Sequence, residues 1–79
     1  MSHTPNELSE EFPDHQEIIH QLKTSNNHFS NIADQYHEVN RKVHRIETEV
    51  EPASDLALEE FKKKRLALKD EINLMILNA

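Results

Sequence analysis

The chain has no glycine, no cysteine and no tryptophan, and only three prolines among its 79 residues. Without cysteine, no disulfide can staple a small core. Without glycine, the loops that cradle phosphates are excluded, because their backbone adopts conformations that a side chain strains. Two-residue β-hairpin turns, which favour Asn-Gly or Asp-Gly, are disfavoured for the same reason. Long apolar runs are missing too, and nothing approaches the ~20 apolar residues of a membrane-spanning helix. The N-terminus lacks the basic-then-apolar pattern of a secretory signal, so the default expectation is a cytoplasmic protein without membrane contact.

Positive charge is the other scarcity. Nine Lys and Arg oppose fifteen Asp and Glu, for a net charge of -6. The deficit is uneven. Up to residue 26, Glu7, Glu10, Glu11, Asp14 and Glu17 face only Lys23, whereas beyond residue 51 acids and bases balance. No segment is basic overall, which argues against a sequence-independent grip on nucleic acid. A single domain of this length supplies only ~3–5 kcal/mol from its core, so helix packing or association with another chain must complete it.

What is present is helical periodicity. Residues 1–12 (MSHTPNELSEEF) are polar and show none, and they predict a disordered tail. Pro13 suits a first helical position, and Ile18, Ile19 and Leu22 then form a short apolar strip, predicting a helix over about 13–23. Thr24, Ser25 or Asn26 can each cap a following helix. From there Phe29, Ile32, Tyr36, Val39, Val43, Ile46 and Val50 alternate steps of three and four, an unbroken heptad seam that predicts a helix over 26–51. Glu51-Pro52-Ala53-Ser54 interrupts it, since the residue before a proline is pushed out of helical geometry. Ser54 or Asp55 caps a second long helix over 55–78, with its own seam of Leu58, Phe61, Arg65, Leu68, Ile72, Met75 and Ala79.

Two seams joined by a short polar link predict an all-α fold, an antiparallel, coiled-coil-like helical hairpin preceded by a short N-terminal helix, all within one domain over 13–79. Folding back about residues 53–54 sets Ile46 near Phe61, Val39 near Leu68 and Tyr36 near Ile72. Arg65 then falls opposite Val43 and is expected to reach outward toward Glu47. Glu59 with Lys63 and Glu60 with Lys64 are acid-to-base pairs one turn apart on the exposed side.

Six histidines raise the question of a metal site. None is spaced four residues from another, as zinc-binding helices require. Glu17 with His20 and Asp34 with His37 have the acid-x-x-His spacing of di-iron bundles, but both histidines fall off the apolar stripes. Solvated histidines in weak ion pairs are the plainer reading, with no metal and no cofactor. The run Lys62-Lys63-Lys64-Arg65, with Lys69, is the candidate nucleic-acid face, but consecutive helical residues diverge and Glu59 and Glu60 stand one turn before them. Tyr36 reads as core with its hydroxyl at the rim, and Asn40 as an exposed flank of the seam. No serine has a readable histidine–acid partnership and two helices form no concave pocket, so neither catalysis nor a small-molecule substrate is expected.

The apolar residues left over are more informative. Leu74, Ile76 and Leu77, with Leu66, form a patch turned away from the main seam, and Ile18, Ile19 and Leu22 form another. These seven residues are the predicted interaction surface, to be covered by the N-terminal helix, by a second copy in a homo-oligomer, or by an unidentified protein partner.

The sequence also resembles the YdcH-like family of small bacterial helical proteins, a domain of unknown function. The resemblance lies in F-P-D-H-Q-E-I-I-H-Q-L-K-T-S-N-N-H-F (Phe12 to Phe29), in His37 and Val39 of Q-Y-H-E-V-N, and most specifically in F-K-K-K-R-L-A-L-K-D-E-I-N-L-M-I (Phe61 to Ile76). It departs from that pattern in Phe61, where an aliphatic residue is usual, and in its added N-terminal tail. The family often has proline at the position of Asn27, which implies that Asn26 is the cap. The resemblance implies a helical hairpin, often self-associating, and no assigned activity or cofactor.

Overall fold

The computed structural model describes residues 6–79, and among these every regular element is helical. In chain order they are α1 (Leu8–Glu11), a single 3-10 turn (Pro13–His15), α2 (Gln16–Ser25), α3 (Asn27–Glu47) and α4 (Asp55–Leu77). The two long helices pack against each other as the expected hairpin, and α2 packs on α3.

The α2–α3 junction is made by one residue. Thr24 and Ser25 do not cap the next helix. Their hydroxyls donate back to the Gln21 carbonyl at 2.9 and 2.7 Å, which carries α2 two residues beyond its expected end. Asn26 leaves helical geometry at φ -132°. Its N–H closes α2 on the Leu22 carbonyl at 2.9 Å, and its side-chain oxygen accepts from the Phe29 N–H at 3.1 Å to open α3. At the other end of the hairpin, Ser54 is the cap of α4, accepting from the Ala57 N–H at 3.1 Å.

Helix α3 ends at Glu47, short of the expected residue 51. The Val50 N–H bonds the Arg45 carbonyl and the Glu49 N–H bonds the Ile46 carbonyl, at 3.0 and 3.1 Å. This is a Schellman closure, which requires a left-handed residue, and Glu49 takes that role at φ 63°. Val50 therefore leaves the seam and is 74% exposed. Lys42 and Arg45 both pair with Glu51 across the closed end.

The core is wider than one seam. On α3, Phe29, Ile32, Tyr36, Val39, Val43 and Ile46 are buried as expected, but so are Ala33 and Asn40. The stripe broadens because α3 faces α4 on one side and the N-terminal segment on the other. From α4 come Leu68, Ile72 and Ile76, with Leu58, Phe61 and Met75 half-buried against them. Asn40 was expected to be exposed. It is instead buried, and its Oδ1 accepts from Arg65 Nη1 at 3.1 Å. Arg65 thus turns inward to Asn40 rather than outward to Glu47, which pairs with Lys62 at 3.1 Å.

The expectation of a disordered tail over 1–12 is corrected for its described part; residues 1–5 lie outside the described residues. Leu8 and Phe12, one helical turn apart, are 2% and 8% exposed and belong to the same core cluster as Ile19, Tyr36 and Ile72. Around them the Tyr36 hydroxyl donates to the Asn6 carbonyl at 2.7 Å, Glu7 meets His37 at 2.7 Å, and Glu11 meets Lys69 at 3.2 Å. A lone i,i+4 apolar pair in a polar stretch carries too little periodicity to reveal such docking from sequence.

Candidate interaction surface

The predicted interaction residues separate into three groups. Ile19 and Ile76 are core residues, 6% and 3% exposed, and are removed from the surface. The N-terminal helix lies on α3, which draws Ile19 inward, and α4 turns Ile76 toward the same cluster. Ile18 and Leu22 are half-buried flanks of that cluster. Leu66, Leu74 and Leu77 remain outside, 59, 59 and 67% exposed, and the N-terminal helix does not cover them.

Sequence reading missed a fourth member, Leu56, which is 74% exposed. Its signal is a step of seven. Leu56, Lys63, Asp70 and Leu77 recur every seven residues along α4, and Glu59, Leu66 and Asn73 recur between them. All seven are exposed. Helix α4 therefore carries two heptad stripes on opposite sides, one packed on α3 and one turned to solvent.

The basic residues do not converge. Lys62 is held by Glu47, Lys63 lies 4.0 Å from Glu60, Arg65 is bound to buried Asn40, and Lys69 pairs with Glu11. The pair at Lys63 is one residue shorter in spacing than the expected Glu59–Lys63 contact. Lys42 sits 5.7 Å from the centre of the Phe61 ring, a cation–π contact at the hairpin edge.

Among the described residues, His28 meets Glu71 at 3.1 Å in the open and His37 meets Glu7 in a partly buried contact. His37 thus faces the N-terminal segment rather than water. Among the described residues no cluster of three or more His, Asp or Glu could hold a metal ion. Burial pushes the Tyr36 hydroxyl up to about 12, with the nearby Glu11 carboxylate adding to the shift. No buried side-chain nitrogen or oxygen among the described residues is left without a hydrogen-bond partner. No helix of the described residues is long and apolar enough to cross a membrane.

The profile of a family described as "Protein of unknown function (DUF465)" matches residues 29–76, the two long helices and the turn between them. The chain belongs to this family. Neither a curated protein nor a solved structure gives a significant match. The DUF465 match begins at Phe29, so α1, α2 and the core residues Leu8, Phe12 and Ile19 precede the matched region. In this DUF465 protein the hairpin is the matched unit, and the N-terminal segment packs onto it.

Proposed function

We propose that this DUF465 protein is a non-enzymatic helical association module. It works by docking the outward face of α4 on another protein surface, with no metal, cofactor or small-molecule substrate. The observation that carries the reading is that Leu56, Leu66, Leu74 and Leu77 are all exposed on the side of α4 away from the hairpin core. Large apolar residues gathered on one solvent face mark contact sites. The finer family assignment, a YdcH-like protein, rests on the Phe61 to Ile76 stretch, which lies on this same helix. The basic face offers weaker support for nucleic-acid binding, because Lys62, Lys63, Arg65 and Lys69 each meet a different partner within the chain.

Sedimentation equilibrium of the full chain, together with affinity capture from native lysate, tests the reading against a Leu74→Glu, Leu77→Glu variant. We expect the wild type either to exceed its 9.3 kDa monomer mass or to retain a protein that the variant releases. A strict monomer that retains nothing would overturn the proposal.

A further inference from the structure

The outward stripe of α4 has a symmetry that singles out one occupant. Reversing its direction about a point between Leu66 and Ala67 carries Leu56 onto Leu77 and Lys63 onto Asp70, and sets Leu66 beside itself. Every residue in those pairs is exposed. The row Leu56, Lys63, Asp70, Leu77 is thus complementary to its own antiparallel copy in residue type and charge, the requirement for a two-fold interface in which each chain presents the same patch.

We propose that a second copy of this chain docks antiparallel along the outward face of α4. Lys63 of each chain then faces Asp70 of the other, Leu66 meets Leu66 at the two-fold axis, and Leu56 covers Leu77 at both ends. The proposal deepens the association reading above and rests on it. The opposed charges select this arrangement. A parallel pair in register sets Lys63 against Lys63 and Asp70 against Asp70. An antiparallel pair slipped by one heptad brings either the two lysines or the two aspartates together at the axis. Like charges so placed disfavour the competitors, whereas the unslipped antiparallel register forms two ion pairs. Glu59 lies opposite Leu74, where its aliphatic stem lies along the leucine with the carboxylate in water. Charged residues inside the stripe specify register more than they tighten it, so the dimer is weak and salt-sensitive.

A charge-reversal cycle on the full chain tests the register, with helicity checked by circular dichroism. Sedimentation equilibrium is run between micromolar and millimolar chain for the wild type, Lys63→Asp, Asp70→Lys, and the double variant. We expect each single reversal to weaken the dimer about 10-fold and the double variant to recover most of the loss. Neither side chain packs in the hairpin core, so all four proteins should fold alike. A dimer indifferent to the single reversals, or one that the double variant fails to restore, overturns the α4 register but leaves association through another face standing. A monomer that still captures a partner through Leu74 and Leu77 overturns the second copy as occupant and retains the association reading. A monomer that captures nothing overturns both.

Discussion

Tyr36 and Asn40 show how single polar groups are accommodated in this core. The Tyr36 ring is fully buried, and its hydroxyl reaches the Asn6 carbonyl, so the phenol is held neutral. Its folded-state pKa, about 12, lies above the ordinary value of 10.0. Ionisation is therefore easier in the unfolded chain, and the contribution is intact below pH 10 and is lost as pH rises from 10 toward 12. We expect stability measured by urea denaturation to fall over that window by up to about 2 kcal/mol more in the wild type than in Tyr36→Phe. Parallel alkaline profiles for the two proteins would refute this. Asn40 does a different task. Paired with Arg65, it carries a part-buried polar contact between α3 and α4 beside their apolar seam.

Among the elements, the end of α3 bears the cost of having no glycine. The Schellman closure needs a left-handed residue after the cap, where Glu49 stands in place of the usual glycine. Its Cβ opposes that backbone conformation by about 1–2 kcal/mol. Glu49→Gly removes the clash but loosens the unfolded chain, and we expect a net gain of about 0.5–1 kcal/mol, read as a higher urea midpoint. A variant no more stable than the wild type would mean that Glu49 is not under strain there. Helix α4 is unusual for another reason. Its leucines are distributed around most of its circumference; spacing separates Leu68 and Ile72, which face the hairpin, from Leu66 and Leu77, which face outward, but only packing reveals that Ile76 joins the first group.

At the scale of the whole molecule, the N-terminal segment ties the hairpin together. Glu7 and Asn6 contact α3 through His37 and Tyr36, and Glu11 contacts α4 through Lys69. Leu8 is buried among residues contributed by α2, α3 and α4. Leu8→Ala is expected to cost about 2–5 kcal/mol, most of the stability available to a domain of this size. Thermal or urea unfolding measures it, and a loss below about 0.5 kcal/mol would show that the segment is not part of the cooperative unit. The wild type and the variant should unfold in one transition, because the ion pairs and the apolar contact act on both long helices at once.

The sequence by itself determined the two long helices and their pairing as a hairpin. Heptad spacing in α3 and α4 and the break at Pro52 act over a few residues, so local chemistry decides them, and it narrows the caps to Thr24, Ser25 or Asn26 and to Ser54 or Asp55. Even the outward stripe of α4 was legible in part, because Leu66, Leu74 and Leu77 stand off the seam by spacing alone. Tertiary structure decided what depends on three or more elements meeting. It drew Leu8 and Phe12 into the core and buried Asn40. It also turned Arg65 inward and moved Ile19 and Ile76 from the expected surface to the interior. Burial is a property of what covers a residue, and the cover here arrives from positions remote in the chain, beyond the reach of any local pattern.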